Sequence, residues 1–111
     1  MTKEELFSEI EQLCIHVFKQ EGCATDGLRG YNGKMKTYAF TAFTIAARGH
    51  GIRLKEISEY LGISISNTTR LRLAYGARFE KDPVFRELMD EFLKKKVIFE
   101  NTLKTSSTDE R

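Results

Sequence analysis

Short polar and basic side chains are concentrated in one stretch near the middle of the chain. The stretch covers residues 64–72, and its polar and basic members include Ser64, Ser66, Asn67, Thr68, Arg70 and Arg72. An Asn amide can pair with adenine and an Arg guanidinium with guanine through two hydrogen bonds, while Ser and Thr hydroxyls can bond bases or phosphates. These residue types therefore match the chemistry of contacts to a nucleic acid.

Positive charge is concentrated in the same part of the chain, although the net charge of all 111 residues is only +2. Residues 1–33 carry a net charge of −3, residues 34–81 of +6 and residues 82–111 of −1. A basic middle between acidic or near-neutral flanks is typical of a surface that faces phosphates. The alternative is that these charges lie on an ordinary solvated face.

Catalytic and metal chemistry find little support in the residue types. The chain has two histidines, His16 in a predicted helix and His50 between two glycines, and they cannot be combined with a nucleophile and an orienting acid. Cys14 and Cys23 could complete a zinc site with them, but no CxxC or HxxxH spacing is present. We therefore expect no enzyme activity, no metal site and no cofactor, and two reduced thiols of which one is buried.

About five helices are predicted to position these residues. Thr2 followed by Glu5 forms a capping box that starts the first helix, which should end near Gln20 because Gly22 can close it. Four glycines within residues 21–33 indicate a loop. A second, alanine-rich helix follows over about residues 34–48.

A helix-turn-helix is predicted over residues 54–77. Leu54, Ile57 and Leu61 form one apolar stripe on a short helix. Gly62 permits the left-handed backbone of a tight turn, and Ser64 is a good N-cap for the second helix. This order of apolar stripe, glycine turn and polar helix start is the pattern of a helix-turn-helix.

The second helix of this motif carries apolar residues that are predicted to be buried, namely Leu71, Leu73, Ala74 and Tyr75. Their spacing leaves the rotation of the helix open by about one residue. The positions of Thr68 and Thr69 therefore cannot both be assigned, and one of the two should be buried.

A last helix is predicted to begin at Asp82, with Pro83 in its first turn. Residues 1–104 should then form one domain and residues 105–111 a disordered tail. The predicted fold class is all-α, a single-domain helical bundle of about five helices that contains a helix-turn-helix. The acidic start lacks the pattern of a secretory signal, and no apolar run approaches the roughly 20 residues that span a bilayer, so we expect a cytoplasmic protein without a membrane partner.

Several of these features occur together in one known family. They are a basic loop leading into an alanine-rich helix, the segment 51–57, Gly62, Thr68 and the pair Asp82-Pro83. Residues 34–96 therefore resemble the C-terminal DNA-binding domain of the bacterial replication initiator DnaA. The resemblance implies a helical fold related to the Trp repressor, which recognises short duplex sites through the second helix of the motif and the basic loop.

Carried over by position, the resemblance implies that Lys34 and Lys36 approach phosphates or a neighbouring groove, and that Ser66, Asn67 and Thr68 face bases. The family has an Asp-His pair where this chain has Ile65 and Ser66, so the family's target sequence does not carry over. The chain also has no Walker motif, and hence no ATPase domain. A stand-alone relative, such as a mobile-element or regulatory protein, is the expectation.

The leading hypothesis is sequence-specific binding of double-stranded DNA without catalysis, in transcription regulation, replication control or a mobile element. Bases would be read by Ser66, Asn67 and Arg70, and phosphates would be held by Lys34, Lys36, Arg53, Lys55 and Arg72. The sequence does not decide whether the protein binds DNA as a homodimer. The alternative is a protein-interaction adaptor, which an exposed cluster of Tyr31, Tyr38 or Phe79 would favour.

Overall fold

The computed structural model describes residues 2–19 and 27–109, with side chains described as far as Val97. Over these residues the chain forms five α-helices, one short 3-10 helix at Gly27–Gly30 and no strand. The α-helices are α1 (Lys3–Val17), α2 (Gly33–Gly49), α3 (Leu54–Leu61), α4 (Ile65–Lys81) and α5 (Pro83–Asp109). The prediction of an all-α helical bundle is confirmed.

Helix α2 is the central element, and the other four α-helices all pack against it. Its buried residues are Tyr38, Ala39, Phe40, Thr41, Ala42, Phe43, Thr44, Ala46 and Ala47. They lie on several sides of the helix, because neighbours surround it. The two buried threonines satisfy their hydroxyls within the helix, since Thr41 donates to Thr37 O at 2.6 Å and Thr44 donates to Phe40 O at 2.8 Å.

An aromatic stack joins α1, α2 and α3. The ring of Tyr60 lies 4.7 Å from that of Phe7 and 5.4 Å from that of Phe43, centroid to centroid. The Tyr60 hydroxyl donates a hydrogen bond of 2.6 Å to Glu11 Oε1. Burial, together with the nearby carboxylate, raises the pKa of Tyr60. The phenol therefore stays neutral and holds the end of α3 against α1.

The predicted start of α1 is confirmed in atomic detail. Thr2 Oγ1 accepts a hydrogen bond of 3.2 Å from the Glu5 N–H, which is the N-cap hydrogen bond of a capping box. The helix ends at Val17, three residues before the predicted end at Gln20. Gly22, the predicted closing residue, lies outside the described residues.

Asp82 separates α4 from α5 and starts α5 as predicted. Its Oδ1 accepts hydrogen bonds from the N–H groups of Val84 and Phe85, at 3.1 and 3.2 Å. Both adjoining helices are longer than predicted: α4 runs past Ala77 to Lys81, and α5 runs to Asp109. Residues 105–109, predicted as part of a disordered tail, thus continue the helix, and residues 110–111 lie outside the described part of the chain.

Candidate nucleic-acid interface

The turn between α3 and α4 is fixed by backbone and side-chain hydrogen bonds. Gly62 has a φ of 74°, and its N–H donates to Ser58 O at 2.8 Å. Arg29 holds the same end of α3, because its guanidinium donates to Tyr60 O at 2.9 Å and to Glu59 O at 2.8 Å. A positive φ favours glycine, so the residue that the sequence marked as a turn is required there.

Thr68 joins the two helices from the inside. Its side chain has no exposed surface, and its Oγ1 lies 2.7 Å from Ser58 Oγ of α3 and 3.0 Å from Ser64 O. Thr69 is only half-buried. The expectation that one of the two threonines is buried is confirmed. The expectation that Thr68 contacts bases is wrong, because its hydroxyl is used inside the protein.

The outer face of α4 is set by the burial of Thr68. Ser66, Asn67 and Arg70 are exposed. Leu73, which was predicted to be buried, is 70% exposed, while Leu71, Ala74 and Tyr75 are half-buried. The helix is therefore rotated so that Ser66, Arg70 and Leu73 share one outward face.

The beginning of α4 combines a cap with free polar side chains. Ser64 Oγ accepts a hydrogen bond of 3.1 Å from the Asn67 N–H, which confirms Ser64 as the N-cap. The first turn contains no acidic residue. The first backbone N–H groups of a helix lack partners within the helix and give this end a partial positive charge. An anionic ligand is therefore favoured at this end.

A groove between α2 and α4 brings together residues that are far apart in sequence. Its volume is about 280 Å³, and its polar lining includes Lys36 of α2 with Asn67 and Arg70 of α4. The Lys36 ammonium lies 5.4 Å from the centroid of the Phe40 ring, a distance at which the ring attracts a cation. Lys34 lies on an adjoining depression. Four of the predicted contact residues thus belong to one continuous surface.

The other predicted phosphate contacts lie elsewhere. Arg72 is exposed, but it stands about 200° around the helix axis from Arg70 and does not line the groove. Arg53 and Lys55 are exposed at the start of α3. Next to them Glu56 forms an ion pair of 2.5 Å with Lys3, and hydrogen bonding to Lys3 lowers the pKa of Glu56. These three basic residues therefore do not join the groove surface.

Three residues of this region were missed in the sequence. Arg78 and Lys81 line the depression next to the groove, but they lie beyond the predicted end of the helix at residue 77. Ile65 is 49% exposed at the start of α4 beside Ser66. An apolar residue between two serines at a helix start was the only signal for it, and such a side chain can contact the methyl group of thymine.

Among the residues that line the groove and the adjoining depression only Asp82 is acidic, and its carboxylate is hydrogen-bonded to Tyr38 and to α5. Between Glu59 and Glu80 the sequence has no Asp or Glu. The acidic helix α1 packs against α2, α5 and the 3-10 helix. Within the described residues, no ion pair involves the basic side chains that were predicted to contact DNA, which are Lys34, Lys36, Arg53, Lys55, Arg70 and Arg72.

The structure places the possible metal ligands in unlike surroundings. Cys14 is fully buried, and its burial, with a smaller effect of Glu11, raises the pKa of the thiol. His16 and His50 are exposed, and Cys23 lies outside the described residues. The described residues contain no group of three or more His, Cys, Asp or Glu side chains that could hold a metal ion.

Two further findings concern membrane-spanning helices and similarity to known proteins. No helix in the described part has the length and the apolar character required to cross a membrane. Comparison with known protein families, with curated proteins and with solved structures finds no match to this chain.

Proposed function

We propose that this chain binds double-stranded DNA sequence-specifically and without catalysis, with α3 and α4 acting as a helix-turn-helix. The observation that carries the proposal is the groove at which Lys36 of α2 meets Asn67 and Arg70 of α4. Its basic groups are not neutralised by ion pairs within the described residues. An exposed helix of this kind fits the major groove of B-DNA, which is about 12 Å wide.

The roles of the residues follow from their positions. Asn67 and Arg70 pair with base edges, and Ser66 bonds a base or a phosphate, because all three are exposed on the first two turns of α4. Ile65 adds an apolar contact to a thymine methyl group. Lys34 and Lys36 at the start of α2 hold the phosphates that flank these bases. Phosphate contacts set affinity and position, while base contacts set the preferred sequence.

The proposal assigns a smaller contribution to DNA affinity to Arg53, Lys55 and Arg72. They are exposed, but they lie away from the α2–α4 groove. They would reach phosphates only on the parts of a duplex that extend past the α3 side of α4. Their removal should therefore weaken binding less than removal of Lys36, and equally for all sequences.

The test begins with selection of bound duplexes from a random pool, followed by titration of the selected duplex. Affinity should fall steeply as salt rises, because each phosphate contact releases counterions. Arg70→Ala should reduce discrimination between the selected and a scrambled duplex by about tenfold or more, as expected for a bidentate guanine contact. Lys55→Ala should lower both affinities by the same factor.

Lys94→Ala provides a matched control, because Lys94 is an exposed lysine of α5 that lies outside the groove. It should leave affinity and discrimination unchanged. A wild-type protein that shows no salt-dependent binding to any duplex would refute the proposal. The spacing of half-sites in the selected sequences also tests whether the protein binds as a homodimer.

We further propose that the chain is related to the DnaA-type DNA-binding domain and acts in the cytoplasm in transcription regulation, replication control or a mobile element. The support is the shared order of basic loop, alanine-rich helix, glycine turn and Asp82-Pro83 helix start. The selected duplex provides the test, because a site unrelated to the initiator's own would agree with Ile65 and Ser66 in place of the Asp-His pair.

A second candidate function is that of a protein-interaction adaptor. Of the three aromatic residues whose exposure would favour it, Tyr31 and Tyr38 are only 4% and 7% exposed, and Phe79 is half-buried. Instead Ile65 and Leu73 are 49% and 70% exposed on α4. Leu73→Asn separates the two functions, since an adaptor would lose partner affinity while a DNA-binding protein would keep most of its affinity for the duplex.

A further inference from the structure

The groove between α2 and α4 contains a guanidinium donor without a partner. Arg78 Nη1 is buried and makes no hydrogen bond to any described residue. The Arg78 side chain lines both the groove that contains Lys36 and Arg70 and the depression that contains Lys34 and Lys81. A buried charged donor without an acceptor is unfavourable, so an anion bound at this point would stabilise the fold.

The carboxylate on the adjoining depression does not serve as this anion. Asp82 lies on the same depression, but its Oδ2 accepts the Tyr38 hydroxyl at 2.5 Å and its Oδ1 accepts two N–H groups of α5. The hydrogen bond from Tyr38, reinforced by those of α5, lowers the pKa of Asp82. No ion pair between Asp82 and Arg78 occurs in the described structure. The carboxylate is thus committed to holding α5, and the basic groups around it remain in excess.

We propose that the α2–α4 groove is a binding site for a phosphate group, with Arg78 as its anchor and Lys36 and Arg70 beside it. On DNA it holds a backbone phosphate next to the bases that α4 contacts, and in this respect the inference rests on the proposed function. Nη1 of Arg78 has no hydrogen bond to lose when the guanidinium turns toward the groove. Its planar fork then matches two phosphate oxygens at once, whereas the two neighbours supply further positive charge.

The test compares Arg78→Gln with Lys94→Gln, which removes the same charge from an exposed site on α5 outside the groove. Titrations of one duplex at several salt concentrations give the slope of log K against log salt. Loss of one phosphate contact should make this slope shallower by about 0.9 in Arg78→Gln. Lys94→Gln should keep the wild-type slope. Equal slopes in the two variants would overturn the phosphate site.

Thermal melting of the free protein shows whether the substitution acts through the fold. Because the removed donor has no partner, Arg78→Gln should melt at the wild-type temperature or above it. Arg78→Lys provides a second variant, which keeps the charge but not the fork and should fall between wild type and Arg78→Gln in affinity. If Arg78→Lys binds the duplex as wild type does, a bidentate contact by Arg78 is refuted.

Inorganic phosphate serves as the probe that does not depend on DNA. At equal ionic strength, phosphate should raise the melting temperature of the wild-type protein above its value in chloride, and this rise should be absent in Arg78→Gln. Salt-dependent duplex binding without either Arg78 effect leaves the proposed function intact and overturns the site. A phosphate effect through Arg78 without any duplex binding supports the site for a free phosphate and refutes the proposed function. Failure of both measurements refutes both.

Discussion

Replacement of Thr68 by valine tests whether the hydroxyl of that residue stabilises the fold rather than contacting a ligand. The threonine has no exposed surface, and its hydroxyl lies within hydrogen-bond distance of Ser58 Oγ and Ser64 O. Valine has nearly the same shape, so the substitution opens no cavity and removes only the hydroxyl. Ser58 Oγ keeps its own acceptor, because it donates to Leu54 O at 2.7 Å.

The expected loss of stability follows from the bonding of the hydroxyl, whose single proton is donated to either Ser58 Oγ or Ser64 O. A neutral buried hydrogen bond contributes about 1 kcal/mol, so Thr68→Val should lower the free energy of unfolding by about 1 to 2 kcal/mol. For a domain of this size, that corresponds to a fall in melting temperature of roughly 5 to 10 °C. Ser58→Ala should interact with it, and the double variant should lose about 0.5 kcal/mol less than the sum of the two single losses.

The assay combines denaturant unfolding with a duplex titration well below the melting temperature. Thr69→Val is the matched control, since it makes the same substitution at a half-buried position and should change stability by less than about 0.5 kcal/mol. Thr68→Val should leave DNA affinity unchanged. A variant with wild-type stability and reduced affinity would refute this reasoning, because it would place the hydroxyl on the ligand rather than on α3.

Four further substitutions test how the helices that carry the surface are held in place. Gly62→Ala should lower the free energy of unfolding by about 1 to 2 kcal/mol, because φ is 74° there, whereas Gly76→Ala within α4 should raise it by about 0.5 to 1 kcal/mol; urea unfolding measures both. Arg29→Ala should lower the free energy of unfolding by about 1 to 2 kcal/mol, because its two hydrogen bonds to α3 are lost. Under the proposed function it should weaken DNA binding only through the fold. A variant with unchanged stability but lower DNA affinity at low temperature would contradict this. The Asp82 carboxylate has a lowered pKa in the folded state, so its stabilisation is complete above its unfolded value of about 4 and is lost as the pH falls toward the folded value. Asp82→Asn should therefore reduce the stability difference between pH 5 and pH 3, and an unchanged difference would count against this explanation.

Local patterns were sufficient to predict the helices and several of their ends. Thr2 and Glu5 mark the start of α1, and Asp82-Pro83 marks the start of α5, because the groups that satisfy the first N–H donors of a helix lie within three residues of it. Gly62 could be assigned to a turn because only the backbone of that residue has to adopt a positive φ. The all-α class follows from such local signals together with apolar spacing.

The candidate site was predicted only in part. Ser66, Asn67 and Arg70 lie on the exposed face of α4, but Thr68 is buried and Leu73 is exposed. Apolar residues on several sides of this helix allowed more than one rotation, and the contact with α3 selects one of them through the hydroxyl pair. Arg78 was counted in the basic segment 34–81 but was not assigned to the site, because it lies beyond the predicted end of the helix and far in sequence from Lys36.

The helices, the turn residue and the segment with an excess of positive charge can be located from local sequence, since they depend on residues within a few positions of one another. The outward side of α4 and the basic groove between α2 and α4 arise only from packing. A helix has no preferred outer side until its neighbours bury one. Here α4 packs against α2, α3 and α5. Helix α2 lies far from α4 along the chain, and α5 follows beyond the residue at which α4 was predicted to end.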